Sequence, residues 1–202
     1  MLFNSLGFFL FLGATLLVYA WLPLRWRWHW LLAASLLFYA SFGAANLVFL
    51  VAVTAGAWAT GLGLARAGNP RTRKLVLSAG LVAILGSLAA FKFYDFLAAE
   101  LERLASAYFI TAGVDLPRLG LQAPVGYSFY AFMAAAYVID VHRGAQAAER
   151  NAGRLALFVA WFPKILAGPI ERAPRLLPQF ANALPPDTLL IASGLQLIVW
   201  GL

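Results

Sequence analysis

Few side chains in this sequence could carry out acid–base or metal chemistry. It contains two histidines, His29 and His142, and no cysteine, which excludes a thiolate nucleophile, a thiolate metal site and a disulfide framework. His142 stands beside Asp140 and Arg143, whereas His29 lies among tryptophans and is typical of an interfacial aromatic belt. No pattern resembles a phosphate loop, a zinc site or a Ser-His-Asp triad. We therefore expect neither histidine to be a catalytic base, and we expect no metal site.

A second group of polar residues surrounds an apolar stretch that is too short to cross a membrane. The stretch lies between Arg154 and Lys164, and as a helix it would reach about 14 Å, half of a bilayer. Pro163 and the Gly-Pro pair at 168–169 interrupt it further. Such a break is tolerated only where the freed backbone groups are buried in protein or line a wet cavity. The pattern predicts a functional cavity at residues 163–169, the elbow; the alternative is a span whose terminal lysine reaches outward to the interface.

Composition predicts that membrane helices position these residues. Hydrophobic residues make up 63% of the chain and charged residues 11%, against about 45–50% and about 25% in soluble domains. These figures exclude intrinsic disorder and an ordinary soluble domain. The net charge of +7 is expected to reflect cytoplasmic loops near anionic headgroups rather than a nucleic-acid partner.

Several charge-free runs approach or exceed the roughly 20 residues that are needed to cross the hydrocarbon core. They predict an all-α polytopic membrane protein with one transmembrane domain over residues 1–202. The predicted segments are spans at about 3–24, 28–42, 45–65, 75–96 and 119–141, a broken segment at 152–170 and a truncated span at 188–202. The last span is short, so we expect an N-terminal part of something longer or a truncated product. Pairs of small residues, Gly56 with Thr60 and Gly86 with Ala90, predict close helix contacts.

Residues 97–118 differ from the rest of the chain, because they mix charges of both signs with apolar residues at helical spacing. This pattern predicts a short amphipathic helix at the membrane surface, followed by a loop. A solvated loop with a packed apolar stripe is an equally good interpretation.

The distribution of basic residues predicts an N-terminus outside the cytoplasm. In that orientation the inner loops are 25–29, 66–74 and 140–154, which together hold most of the Lys and Arg residues, while the outer turn at 41–46 holds none. The remaining basic residues are then assigned to outer stretches: Lys92, Arg103, Arg118, Lys164, Arg172 and Arg175.

Two stretches resemble the signatures of the membrane-bound O-acyltransferases. Residues 123–144, the first motif, begin APVGYSFY and end YVIDVHRG, and residues 162–172, the second motif, read FPKILAGPIER. Their order and separation also agree with the family, and two long motifs are a specific signal. Residues 1–5 and 35–40 further resemble the branch that acetylates alginate and related bacterial exopolysaccharides.

The resemblance implies a helical bundle around a tunnel through the bacterial cytoplasmic membrane. An acyl donor, acetyl-CoA or another acyl thioester, would be engaged on the cytoplasmic side, and a hydroxyl of a polysaccharide such as alginate on the other. Acetylation of peptidoglycan and D-alanyl transfer to teichoic acid are the neighbouring possibilities. The implied partners are membrane lipid and the polysaccharide or an extracytoplasmic acyl-relay protein. In this family a tunnel histidine is the base that prepares the hydroxyl. It lies downstream of the second motif, beyond these residues, so we expect this chain alone to be inactive.

The same resemblance marks candidate residues that line the tunnel or belong to the motifs. They are Pro124, Gly126, Tyr127, Ser128, Phe129, Tyr137, Asp140, Arg143, Pro163, Lys164, Gly168, Pro169 and Arg172. Asp140 and Arg143 could pair at a helix end, which would contribute a few tenths of a kcal/mol, or Arg143 could contact a donor phosphate. A transporter or channel segment, in which a broken helix borders an intramembrane lysine, remains open as an alternative, as does a non-catalytic membrane scaffold.

Overall fold

The computed structural model describes residues 5–107, 117–118, 120, 122–166, 168–181 and 188–201, and in these residues it contains helices and no strand. The helices are α1 (Leu6–Trp21), α2 (Leu24–Ala40), α3 (Ala44–Arg66), α4 (Pro70–Ala107), α5 (Tyr127–Arg143), α6 (Ala152–Ala160), α7 (Ala173–Ala181) and α8 (Thr188–Gly201). The predicted all-α architecture is confirmed. Helices α3 and α4 are long and apolar enough to cross a membrane, and the chain is a membrane protein.

Polar contacts define two ends of the bundle. At one end, the Arg73 guanidinium donates to the carbonyl oxygens of Leu64 at 3.1 Å and His142 at 2.9 Å, which joins the start of α4 to the ends of α3 and α5. We call this the basic end, comprising residues 22–30, 64–74 and 141–154. At the opposite end, made of residues 38–46, 87–91 and 124–127, Tyr39 Oη donates to the Val125 carbonyl oxygen at 2.8 Å.

Helix α5 is the centre of the core. It packs against α3 and α4 and also against α6 and α7, so both its large and its small side chains are buried. The buried residues include Tyr130, Ala131, Met133, Ala134, Tyr137 and Val138. Glycines in the left-handed region stand at both ends of the helix, with φ 72° at Gly126 and φ 78° at Gly144. Because L side chains rarely adopt that conformation, these two positions set where the helix starts and stops.

The boundaries of two predicted spans need correction. Helix α2 begins at Leu24 rather than near residue 28, so Arg25 and Arg27 belong to its first turns and not to a loop. Arg27 is buried because its Nε donates to the Leu22 carbonyl oxygen at 3.1 Å and its guanidinium lies 4.8 Å from the Tyr19 ring centroid. In the predicted span 119–141 the helix itself starts only at Tyr127, after a turn at 125–126.

The separate amphipathic helix predicted from residue 97 is instead the end of α4, which continues for 38 residues to Ala107. A helix of that length extends about 57 Å, well beyond a hydrocarbon core of about 30 Å. Its mixed charges therefore project past the opposite end of the bundle, where Arg118 pairs with Glu102 and donates to the Asp95 carbonyl oxygen at 2.8 Å. Residues 108–116 of the predicted loop lie outside the described residues.

Of the predicted small residues, Thr60 lies in the close contact between α3 and α4, and it meets Gly80, which was not predicted. Gly56 and Gly86 face open space, whereas a Cβ at Gly80 would lie 2.6 Å from Thr60 Oγ1. Thr60 cannot easily turn away, because its hydroxyl donates to the Gly56 carbonyl oxygen at 2.7 Å. The contact between Thr60 and Gly80 therefore sets the spacing of these two helices.

We expect Gly80→Ala to destabilise the protein by about 1–3 kcal/mol, because the added methyl group must displace Thr60 or separate the helices. The measurement is thermal unfolding of the detergent-solubilised full-length protein. Gly86→Ala is the matched control on the same helix and should leave the midpoint unchanged or slightly raised. Equal midpoints for the two variants would contradict the assigned contact.

Candidate functional site

The predicted break in the chain is confirmed at the end of α6. This helix has 9 residues and stops at Ala160, where Trp161 leaves the helical region with ψ 108°. The Trp161 carbonyl oxygen then accepts from the amides of Lys164 and Ile165, both at 3.1 Å, and the Lys164 carbonyl oxygen accepts from Gly168 at 2.9 Å. The turn thus satisfies the Trp161 and Lys164 carbonyls and three of its amides internally, as a membrane environment requires of buried backbone groups.

The elbow lies near the opposite end of the bundle, although α6 starts at the basic end. The Phe162 amide donates to Ser35 Oγ of α2 at 3.3 Å. The Phe162 ring packs against rings of α1 and α2 near that end, namely Phe8, Phe11 and Phe38. The half-helix and its turn together therefore reach from one end of the bundle almost to the other.

The two motifs meet at the elbow through their backbones. A Cβ at Gly126 would collide with the carbonyl oxygen of Ile165. Gly126 is thus required for two independent reasons, its positive φ and this close approach. The contact holds the start of α5 against the turn of the second motif.

The two motifs meet again through an ion pair at the basic end. Arg172 Nη1 lies 2.7 Å from Asp140 Oδ1, and the Asp140 side chain is only 6% exposed. Ile165 is therefore next to the start of α5, whereas Arg172 reaches a residue near its end. The chain from 165 to 172 must return along α5, so the broken segment is re-entrant.

This geometry corrects two expectations. Asp140 pairs with Arg172 and not with Arg143, which is exposed and forms no ion pair with it. Asp140 faces the protein interior, so the returning chain supplies its partner while Arg143 stays in solvent. Arg172 also lies at the basic end, together with the loop 140–154, and not in an outer stretch.

Lys164 is buried at the elbow, which contradicts the alternative of a lysine that reaches outward. It is 5% exposed, and its Nζ has no hydrogen-bond partner among the described residues. The ammonium lies 4.3 Å from the centroid of the Phe158 ring, a cation–π distance. Gly168 packs so closely on the backbone of Lys164 that a Cβ there would overlap it.

The aromatic residues of the first motif have different surroundings. Tyr127 donates from its hydroxyl to Ser87 Oγ at 2.7 Å and lines a cavity of about 310 Å³ between α3 and α4. Tyr137 Oη accepts from the Glu149 amide at 2.9 Å, where Gly61 leaves room for it. The Tyr127 hydroxyl thus connects α5 to α4, and the Tyr137 hydroxyl connects α5 to the loop that precedes α6.

The remaining candidates are less enclosed. Pro124 is buried, Ser128, Phe129 and Gly168 are half-buried, and Pro163 and Pro169 are exposed. Sequence reasoning missed Ser35, Tyr39, Gly61 and Arg73, which hold the motif segments in place. Ser35 and Tyr39 carried a signal, because both lie in residues 35–40, one of the stretches that resemble the family.

Comparisons with known proteins agree with these motifs. The sequence is 37% identical over 182 residues to the probable alginate O-acetylase AlgI of Azotobacter vinelandii and 38% identical over 191 residues to that of Pseudomonas putida. The two alignments cover 89% and 90% of this chain but 36% and 37% of the relatives. A peptidoglycan O-acetyltransferase of Helicobacter pylori is 28% identical over 177 residues, 76% of this chain and 32% of that relative. The chain thus spans about a third of the relatives' length. No family model and no solved structure matches it.

We expect Gly126→Ala to lower the unfolding midpoint of the full-length protein far more than Gly144→Ala. Both glycines have positive φ, so the backbone strain is matched, but a Cβ at Gly144 meets open space whereas one at Gly126 meets the Ile165 carbonyl oxygen. The difference isolates the contact between the two motifs. Similar losses in the two variants would indicate that backbone conformation alone requires Gly126.

A double-mutant cycle tests the ion pair between the motifs. Asp140→Asn, Arg172→Gln and the double variant should give a coupling free energy of about 1–2 kcal/mol, because one partner is buried and the other half exposed. Arg175→Gln, at an exposed arginine of α7 three residues after Arg172, replaces Arg172→Gln in the control cycle and should show no coupling to Asp140→Asn. Coupling of the same size in the control would rule out a specific pair.

Proposed function

The chain belongs to the alginate O-acetylase-like membrane-bound O-acyltransferases, and we propose that the whole protein transfers an acetyl group to hydroxyls of an extracytoplasmic polysaccharide such as alginate. The family implies an acyl donor; acetyl-CoA or another acyl thioester is the proposed one. The proposed location is the bacterial cytoplasmic membrane, with the N-terminus outside. Relatives named as O-acetylases support this function over the transporter and scaffold alternatives.

The observation that carries the proposal is the re-entrant segment. Its turn contacts Gly126 at the opposite end, and the residues that return from the turn bind Asp140 at the basic end through Arg172. A chain that enters a membrane bundle and returns is stable only against protein or a wet cavity. We therefore assign the segment to the wall of the acyl-transfer passage, where exclusion of water would protect an activated acyl group from hydrolysis.

Basic residues support a cytoplasmic position for the basic end. With Arg172 beside Asp140, the basic end gains a further arginine that the sequence alone assigned to the outside. The excess of Lys and Arg on one side is then larger, which favours the outside orientation of the N-terminus. Under this proposal the acyl donor approaches from the basic end and the acceptor hydroxyl from the opposite end.

Within this passage, the residues of the chain have positioning roles. The hydroxyl oxygen of the acceptor attacks the donor carbonyl and its proton passes to a base. The C–S bond then breaks, and the departing thiolate takes the proton back from the base to leave as the thiol; the family histidine proposed as that base lies beyond these residues. The other motif candidates, including Tyr127 and Tyr137, would shape the wall. Lys164 is the candidate for direct contact with reacting groups, because its amine is buried without a hydrogen-bond partner among the described residues.

We expect Lys164→Met in the full-length protein to lower acetyl transfer by at least about tenfold without lowering the unfolding midpoint. Methionine keeps most of the side-chain volume and removes a buried amine that is costly to desolvate, so stability should be unchanged or higher. The measurements are acetyl groups per sugar residue in the polysaccharide and thermal unfolding in detergent. Lys92→Met, an exposed lysine on α4, is the control and should retain transfer. Full transfer by Lys164→Met would exclude the amine from the passage.

A further inference from the structure

A cavity of about 450 Å³ opens at the basic end, between α3, the start of α4 and the loop that joins α5 to α6. Its walls combine two kinds of surface. Leu62, Leu64 and Val141 form an apolar part, whereas Arg73, Arg150 and Gln146 contribute polar groups. The volume falls within the range of small-molecule sites, which is about 300–1,000 Å³.

Neither arginine of this cavity forms an ion pair with a carboxylate among the described residues. The hydrogen bonds of Arg73 go to the backbone carbonyls of Leu64 and His142, which are neutral groups, and Arg150 forms no ion pair in the described structure. Of the two acidic side chains nearest in sequence, one is in an ion pair with another arginine and the other accepts a backbone hydrogen bond. Asp140 pairs with Arg172, and Glu149 Oε1 accepts from the Asn151 amide at 2.8 Å.

The roles of the two arginines differ. Carbonyl groups at the ends of α3 and α5 give this region partial negative charge, which Arg73 offsets because its guanidinium caps both helices. Arg150 is exposed on the loop and is free of that structural role. Its guanidinium matches the geometry of phosphate oxygens and can bind them in bidentate fashion.

We propose that this cavity binds the phosphate group of an amphiphilic or nucleotide phosphate ester, with Arg150 as the principal contact and Gln146 as a second donor. Basic pockets between membrane helices near the cytoplasmic face attract anionic headgroups. The apolar wall suits the adjoining chain of such a ligand. Two sources share this chemistry: an anionic phospholipid of the bilayer and the phosphates of a nucleotide acyl donor, of which the second rests on the proposed function. Phosphate binding at this cavity does not require acyl transfer and is measured without it.

The test uses full-length protein and two probes. The first is phosphatidylglycerol, which is retained through purification and counted by native mass spectrometry. The second is coenzyme A, whose binding is measured by calorimetry. Arg150→Gln should reduce the affinity for at least one probe about fivefold, because it removes roughly one charge-assisted contact at a partly exposed site. The control is Arg71→Gln, an exposed arginine in the first turn of α4 that does not line the cavity.

Each result assigns the ligand source or rejects the site. Loss of phosphatidylglycerol alone identifies a lipid headgroup, and loss of coenzyme A binding identifies the donor phosphates. Unchanged binding of both probes by Arg150→Gln overturns the proposal. Equal losses in Arg150→Gln and Arg71→Gln also overturn it, because they would reflect general surface charge. Unfolding midpoints of both variants should equal that of the unaltered protein, which separates a binding defect from misfolding.

Discussion

Backbone groups inside a bilayer find no water, and this constraint governs the re-entrant segment on which the rest of the site depends. When α6 ends at Ala160, its last carbonyls and the following amides must find partners within the protein. The carbonyl of Trp161 accepts from two amides of the turn, and Ser35 accepts from the Phe162 amide. The turn itself supplies the partners of the Trp161 carbonyl, whereas the partner of the Phe162 amide, Ser35 of α2, is available only in the folded bundle.

The path of the segment is held by contacts of different physical kinds at its two ends. At the turn, the absence of a side chain at Gly126 lets two backbones approach, so the contact depends on shape. At the return, Asp140 and Arg172 form a charge-assisted hydrogen bond whose acidic partner is buried. Loss of Arg172 would leave a buried carboxylate without compensation, which costs more than the pair itself contributes. The ion pair therefore holds the returning residues 168–172 against α5.

Hydrophobic run lengths and breaks in them predicted the membrane class, the helical architecture and the interruption at the elbow, because these depend on local composition. The partner of Asp140 could not be predicted in this way. Arg143 is close in sequence, but Arg172 reaches Asp140 only because the chain folds back. Helix α4 is a second example. Its apolar first half packs in the bundle, and the mixed-charge residues that follow continue it as one helix. Both features depend on tertiary contacts, which produce no periodic pattern in the sequence.

The structural roles of several motif residues explain why those residue types are present, without any catalytic role. Gly126 allows the close backbone approach, Gly168 fits the tight turn on Lys164, and Asp140 with Arg172 anchors the return. Lys164 differs, since packing alone would be served better by an apolar side chain of similar volume. Its amine lies over the Phe158 ring, a contact weaker than the hydration that it replaces. Packing therefore does not explain the amine of Lys164, and this is the reason why we propose a functional role for it.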